Sequence, residues 1–579
     1  MLSSYQVARL LAGLLLALIG TVANAQSFQV QCPAGTALHP AIIANDPDRD
    51  MSATYDTVTH VGRTDGKLNP TPAMANPHIK CQQISGGDGF ATMGDGTQMY
   101  LFAFGPLSGF GHMVQGLGGT EPASVYNQTN LMPDGVTPLE VVRVGSPGAH
   151  ETFNGAIGLV PDPDPAAHNE LDGHVDARMI MDVGTMNGNF PAPMFVIDEG
   201  DEFFLTLTNV GMVMRPDLFE QHTVHFHGYP NASAFYDGVP DASVAINIGA
   251  SFTYYYLAPE AGTYMWHCHV SPPEHLQMGM VGQVYVRPKQ NGVASTADLG
   301  AALKVANQNS YFGVGTLANV GAGCNDILCT DQTPLPAGAA SDGSTGTYNT
   351  AGQKFAYNDG DGSTAYDVEY PINMHGFDPN FHFVGMTFNP ESFTDNKDKY
   401  FLLNGRSYPD TVGGYECESG DALPQCAGKA AGEVVVGPMI TQSTDGVLHV
   451  SQPQNALINI PEGGKALLRF SDLNVTEFHT LASLGIQMRV VGKNARMLRD
   501  LDGNNMAYET NSITLGGGES IDVILDASDA TKYPRGSVFF LYTPQLDHLS
   551  NDAENFGGMM TEVHICDPAR FNPATKLCI

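Results

Sequence analysis

Hydrophobic and polar positions along this chain alternate in short runs, which glycine and proline interrupt. Phe203-Phe-Leu-Thr-Leu-Thr208, Ser251-Phe-Thr-Tyr-Tyr-Tyr-Leu257, Val281-Gly-Gln-Val-Tyr-Val286 and Ala466-Leu-Leu-Arg-Phe470 are rich in β-branched and aromatic residues and bounded by turn residues. Near-alternation over such lengths fits half-buried strands, and helix-period patterns are scarce. With 65 glycines and 37 prolines as punctuation, the pattern predicts an all-β chain of antiparallel sandwiches.

The runs also repeat. His222-Thr-Val-His-Phe-His-Gly228 reads against His479-Thr-Leu-Ala-Ser-Leu-Gly485, and Gly262-Thr-Tyr-Met-Trp-His-Cys-His269 against Gly536-Ser-Val-Phe-Phe-Leu-Tyr-Thr543. His275 with Gly279-Met280 reads against His548 with Gly558-Met559. Order and rough spacing agree, so one sandwich is predicted twice. The first copy keeps the histidines and a cysteine, where the second has Ala482, Leu484, Leu541, Tyr542 and Thr543. The predicted organisation begins with a signal peptide over 1–25 and an N-terminal extension over 26–84. A first sandwich follows over 85–290, with a Pro/Gly/Asp-rich insertion at about 106–175, then a linker over 291–365. A second sandwich over 366–566 and a disulfide-tethered tail over 567–579 complete the chain.

Arg9 precedes an apolar run from Leu10 to about Val22, followed by Ala23-Asn24-Ala25. That is the pattern of a secretory signal cleaved before Gln26, so the expected location is periplasmic or extracellular. No later run approaches the roughly 20 apolar residues of a membrane span. A net charge of −34, from 26 Lys and Arg against 60 Asp and Glu, repels nucleic acid and anionic lipid, so neither is an expected partner. Nine cysteines is an odd number for an oxidising compartment. Pairing neighbours (Cys32 with Cys81, Cys324 with Cys329, Cys417 with Cys426, Cys566 with Cys578) leaves Cys268 over. It lies between two histidines, where metal ligation explains a free thiol.

Two segments concentrate ligand chemistry, Gln221–Gly228 and Trp266–Met280. A thiolate and two imidazoles with a weak axial thioether make the blue-copper ligand set, which His222, Cys268, His275 and Met280 supply. His222 is expected on one strand, Cys268 at the end of another, and His275 and Met280 in the loop that follows. Alternate side chains of a strand share a face. His225 and His227 therefore point together, as do His267 and His269, opposite to Cys268. These two pairs are predicted to converge on a further copper or copper pair, wired to the first site through the Cys268 backbone. Zinc accepts Cys and His, but the His-x-His doublets and the methionine favour copper.

These segments resemble the multicopper oxidases of the cupredoxin superfamily, whose copper-binding segments read H-x-x-H-x-H-G and H-C-H-x-x-x-H-x-x-x-G-M. The first matches fully, and the second matches with two extra residues, Pro272 and Pro273 being the expected insertion. Phe401-Leu-Leu-Asn-Gly-Arg406 and Leu515-Gly-Gly-Gly-Glu-Ser520 look like family strand and turn segments. The resemblance covers roughly 85–105 and 180–566. It implies two cupredoxin-like Greek-key sandwiches, with a catalytic type 1 copper on His222, Cys268, His275 and Met280. It also implies a type 2 copper at His225 and a type 3 pair at His227, His267 and His269. The activity implied is one-electron oxidation of a phenolic or metal-ion donor coupled to reduction of dioxygen.

The family's trinuclear cluster takes eight histidines, four from each of two domains, and this chain supplies four. The others are to be sought in the insertion (His150, His168, His174), in a neighbouring subunit (His548), or are missing. A half-cluster in one chain makes a homo-oligomer, a trimer first, the natural assembly. Copper nitrite reductases resemble the same residues, with His227 and His267 on a type 2 copper, but His225 stands where that family places its catalytic aspartate. An electron-transfer cupredoxin without an oxygen site is a third reading. His479, His548 and Met559 look like remnants of a type 1 site whose cysteine is now Tyr542.

Overall fold

The computed structural model describes residues 29–41, 75–128 (less 114–115), 154–159, 173, 175–308 (less 229–232 and 259) and 333–412 (less 388–391 and 413–414 beyond it). It also describes 456–578 (less 574–575) and short pieces between 415 and 454. Cys324, Cys329, Cys417, Cys426, the predicted signal peptide and His150, His168 and His174 lie outside the described residues.

The first sandwich contains β1 (Ile79–Thr92), β2 (Gln98–Pro106), β3 (Phe195–Asp198), β4 (Glu202–Gly211), β5 (His225–His227), β6 (Ala250–Leu257), β7 (Gly262–His267) and β8 (Val281–Arg287). They form two sheets, ordered β2-β1-β4-β6 and β3-β8-β7-β5. The second sandwich contains β9 (Val368–Phe377), β10 (Tyr400–Leu403), β11 (Ile458–Pro461), β12 (Lys465–Asp472), β13 (His479–Leu484), β14 (Met488–Lys493), β15 (Ser512–Leu515), β16 (Glu519–Asp526), β17 (Val538–Tyr542) and β18 (Met560–Cys566). Its sheets run β10-β9-β12-β16-β14 and β11-β18-β17-β13-β15. Both strand orders of the first sandwich therefore recur in the second. Each copy also has two parallel joins, β1 with β4 and β3 with β8, then β9 with β12 and β11 with β18. The sheets are thus mixed, where local alternation alone predicted antiparallel pairing.

Each sandwich closes on its own core. In the first, Phe195 stacks on Trp266 at 4.4 Å, with Phe104, Tyr254 and Tyr264 buried around them. Full burial of an aromatic side chain contributes up to about 3 kcal/mol. Between the sandwiches runs a polar seam. Thr263 Oγ1 donates to Asp522 at 2.5 Å, Ser520 Oγ to the Thr263 carbonyl at 2.7 Å, and Gln283 Nε2 to the Arg469 carbonyl at 2.7 Å. Glu369 accepts from Arg287 at 2.6 Å and from the fully buried Arg469 at 3.2 Å. The seam locks β7, whose last residue is His267, against the second sandwich.

Three features differ from the sequence reading. β1 begins at Ile79, inside the predicted extension, and runs unbroken through Ser85-Gly-Gly-Asp-Gly89. A Cβ on Gly87 would meet the Gly211 carbonyl at 2.7 Å, and one on Gly89 would run into the Gly188 carbonyl, so these glycines permit close backbone approach. The predicted linker carries a helix, Leu299–Gln308, whose Asp298 carboxylate accepts from the Ala301 N–H. In the same stretch Tyr357 is buried and reaches Asp522. Lastly, His275 lies on a short helix, Pro272–Gln277, rather than in a loop. Two prolines in its first turn preset the backbone angle and lose no needed N–H.

Disulfides join Cys32 to Cys81 and Cys566 to Cys578, and Cys268 is free and buried. Among the described residues no helix is long and apolar enough to cross a membrane.

Candidate metal centre

Strand ends and a helix bring the first ligand group together. His222 precedes β5 and is held by reciprocal backbone hydrogen bonds with Ile246, at 3.2 and 2.9 Å. Cys268 follows β7, and its N–H donates to the Met280 carbonyl at 3.2 Å, while the Met280 N–H donates to the His275 carbonyl at 2.8 Å. The Cys268 Sγ lies 3.2 Å from His275 Nδ1 and 4.0 Å from His222 Nδ1, and it accepts from the Thr223 N–H at 3.4 Å. The sulfur and one nitrogen of each imidazole all lie within 4.8 Å of one another. All three residues and Met280 are fully buried. Burial pushes the Cys268 thiol up, but the His275 charge and hydrogen bonds from His222 and His275 outweigh it and hold the thiol well below its ordinary range. His275 is opposed by burial, yet Cys268 and Glu220 raise it to about 10.

A deprotonated thiolate between two imidazole Nδ1 atoms, with the buried Met280 tied by its backbone to Cys268 and His275, is a soft and negatively charged donor set. It fits copper. Each ring turns its Nδ1 to the sulfur, and among the described residues the Nε2 atoms of His222 and His275 have no hydrogen-bond partner. At the outer edge, Glu220 Oε2 stands 3.7 Å from His275 Nε2.

The second group lies on the opposite face of the same strands. The β5–β7 register sets His225 opposite His267, and their rings lie 5.4 Å apart. His227 Nε2 lies 2.9 Å from His267 Nε2, and one nitrogen each of His225, His227 and His267 falls within 4.8 Å of the others. His225 Nδ1 donates to the Asp237 carbonyl at 2.6 Å, and His267 Nδ1 to the Cys268 carbonyl at 2.7 Å. Such outer partners fix the tautomer and leave Nε2 as the ligating atom. Burial lowers all three imidazoles, His227 to about 4, so they are neutral at neutral pH. His269 sits beside them, its ring 4.8 Å from His225 and 5.5 Å from His267, but outside the convergent triad. The four predicted histidines are thus neighbours, and three of them share a focus.

In the second sandwich the equivalent of Cys268 is Thr543, not Tyr542. The Thr543 N–H donates to the Met559 carbonyl at 3.0 Å and the Met559 N–H to the His548 carbonyl at 3.1 Å, repeating the hydrogen bonds of Cys268 and Met280. The turn before β17 differs by one residue from the turn before β7, which displaces the match of the two segments by one position. Tyr542 then matches His267, and Ala482 and Leu484 match His225 and His227, so among the described residues this sandwich supplies no second set of imidazoles. The described residues do not complete an eight-histidine cluster. His548 is engaged within its own sandwich, stacked on Phe401 at 3.8 Å and paired with Glu477 at 3.1 Å.

Several contributing residues escaped the sequence reading. A Cβ on Gly86 would stand 2.8 Å from His222 Cδ2, so this glycine makes room for the ring. Gly518, on a turn of the second sandwich, stands against His227 Nδ1, 3.1 Å from where its Cβ would lie. Glu220 had a legible signal, because both copies carry Glu two positions before the first histidine (Glu220, Glu477) and both carboxylates reach the second histidine.

Residues 170–291 match the family model described as multicopper oxidase. The chain is 36% identical over 108 residues to the multicopper oxidase MCE of Talaromyces pinophilus, covering 18% of this chain and 16% of that one. It is 35% identical over 108 residues to the laccase abr2 of Aspergillus fumigatus, covering 18% and 17%. The match thus spans about a sixth of the length of these curated relatives. Among solved structures, the blue copper oxidase from Nitrosomonas europaea aligns over 84% of this chain and 85% of its own, at 16% identity and a TM-score of 0.42, too slight a likeness to carry an argument. The stretch that matches this family model, 170–291, holds both histidine groups and Cys268.

Proposed function

We propose that this chain is an exported, copper-dependent oxidoreductase of the multicopper-oxidase type. It withdraws single electrons from a phenolic or metal-ion donor at a type 1 copper on His222, Cys268, His275 and Met280, and delivers them to dioxygen at the neighbouring imidazoles. The observation that carries this reading is the buried thiolate between two imidazole Nδ1 atoms, with a second imidazole group on the same strand end. Copper bound there supplies reversible one-electron chemistry.

The chain's own groups perform the rest. The His275 ring has its Nδ1 at the sulfur and its Nε2 toward the half-exposed Glu220, so it is the edge by which an electron enters. The Glu220 carboxylate, near Glu274, accepts a phenolic proton or a hydrogen bond, or attracts a cation. From Cys268 two routes lead onward, the covalent backbone to its neighbours and the hydrogen bond from His267 Nδ1 to the Cys268 carbonyl. Burial excludes water from the thiolate and protects it from oxidation.

The test is to load the purified chain with copper, then supply a one-electron phenolic donor and a ferrous or cuprous donor in an oxygen electrode. Donor oxidation with oxygen uptake, together with an intense blue charge-transfer band that bleaches on donor addition without air, is expected. A blue centre that bleaches yet never consumes oxygen identifies a carrier instead, and nitrite turnover without oxygen uptake identifies a reductase.

A further inference from the structure

We propose that the imidazole group on this chain binds a single copper ion, through the Nε2 atoms of His225, His227 and His267, with His269 outside the ligand set. This deepens the reading above and rests on it only in taking copper as the metal.

The distances define one focus. His227 Nε2 and His267 Nε2 are 2.9 Å apart. Two nitrogens at right angles on one ion, each about 2 Å from it, are separated by about 2.8 Å, so the pair has the spacing of two ligands of one ion. The triad nitrogens fall within 4.8 Å of one another, and two ions held about 3.5–4 Å apart would need further donors beyond these three. His225 and His267 have already committed Nδ1 to the Asp237 and Cys268 carbonyls, so each ring offers one nitrogen only. Gly518 of the second sandwich lies beside His227 Nδ1, which would stand 3.1 Å from an added Cβ. On that sandwich the register places Ala482, Leu484 and Tyr542 where matching imidazoles would be needed.

His269 is pinned differently. Its N–H donates to Thr223 Oγ1 at 3.0 Å, and its ring lies nearly parallel to His267, at 27° and 5.5 Å. Although its ring is 4.8 Å from that of His225, His269 is not among the imidazoles whose nitrogens converge within 4.8 Å of one another, and it is left lining the site. His225 keeps a partly exposed edge (18% of its side chain), leaving an open coordination position for water or a small oxygen species.

The test counts copper in the full chain. Protein loaded with Cu(II), passed over a desalting column and fully oxidised is assayed by elemental analysis and by quantitative electron paramagnetic resonance. Two coppers per chain are expected, both paramagnetic, one blue and one non-blue. His227→Ala loses the non-blue signal and keeps the blue one, which also reports that the variant is folded. His269→Ala keeps both. Cys268→Ser keeps the non-blue copper alone, so the count at the triad is read even if the blue assignment fails. Three or four coppers per chain, a fraction of oxidised copper that is paramagnetically silent, or loss of the non-blue copper in His269→Ala overturns the proposal.

Discussion

Gly86→Ala puts the packing of the thiolate site to a direct test. The new Cβ would stand 2.8 Å from His222 Cδ2 and 3.2 Å from its Cγ, where relaxed contacts between carbons lie near 3.5–4.0 Å. The ring must retreat by roughly 0.7–1 Å. Its backbone cannot follow freely, because both its N–H and its carbonyl are bonded to Ile246. Overpacking of this kind costs about 1–3 kcal/mol. Felt at the donor position, the same energy corresponds to a copper affinity about 5- to 150-fold weaker. Felt in the fold, it lowers the thermal midpoint by about 2–4 °C per kcal/mol for a domain of this size. Copper affinity is read by chelator competition on the blue band, and stability by thermal unfolding of the copper-free chain. Gly292→Ala, where an added Cβ meets nothing within 4 Å, is the control. If Gly86→Ala matches that control in affinity, spectrum and midpoint, His222 does not depend on the space that Gly86 leaves, and the ligand geometry argued above is wrong.

Glu220→Gln keeps the size and removes the charge beside His275 Nε2. It should raise KM several-fold for a cationic donor while changing kcat less, and steady-state kinetics with cationic and neutral donors compared will show whether the split occurs. Glu369 is opposed by burial, but Arg287 and Arg469 hold it far below its ordinary value of 4.5. A depressed folded value contributes stability that is full above 4.5 and is lost as pH falls below it. Urea midpoints should therefore drop below about pH 4.5, whereas Glu369→Gln should flatten that dependence and cost about 3–5 kcal/mol at neutral pH by stranding two arginines. Stripping copper with a cuprous chelator under reducing conditions should abolish donor oxidation, and stoichiometric copper should restore it together with the blue band.

Much of this architecture was legible because period-two runs and a repeated order of histidines, glycines and methionines survive in the sequence. The strands at Glu202–Gly211, Ala250–Leu257 and Val281–Arg287 follow from their apolar residues alone. The grouping of His222, Cys268 and His275 follows from ligand chemistry together with strand alternation. The rest depended on distances that a linear pattern does not carry. Gly86, Gly87 and Gly89 look like turn residues, and only their neighbours across the sheet reveal why side chains are excluded. His269 has the same spacing from Cys268 as His267, yet its backbone has already left β7, so alternation no longer governs its direction. Gly262 and Gly536 set Tyr542 against Cys268 in the linear sequence, but the hydrogen bond to the following methionine defines the position and selects Thr543.

The second sandwich allows the same reasoning to be run in reverse. Around the position of the thiolate, three of its residues differ from those of the first. Thr543 takes the place of Cys268. Met374, paired with Asp472, takes the place of Gly86, paired with Asn209. Asp472 itself takes the place of Asn209, since each side chain accepts the N–H two residues on, at 2.7 and 2.9 Å. The consequence is electrostatic as well as steric: His479 Nδ1, the atom that in His222 faces the sulfur, is bonded to the Asp472 carboxylate at 3.0 Å with both residues fully buried. A thiol restored by Thr543→Cys alone would meet an imidazole already committed to that carboxylate and a pocket narrowed by Met374, so no second blue band should arise. Thr543→Cys combined with Asp472→Asn and Met374→Gly frees the ring and the space, while His548 and Met559 keep their buried positions, and a second blue copper should appear in a Cys268→Ser background. A blue band from Thr543→Cys alone would show that carboxylate and methionine do not guard the pocket, and a colourless triple variant that unfolds at the same temperature as its Cys268→Ser parent would show that the two sandwiches differ in more than these three side chains.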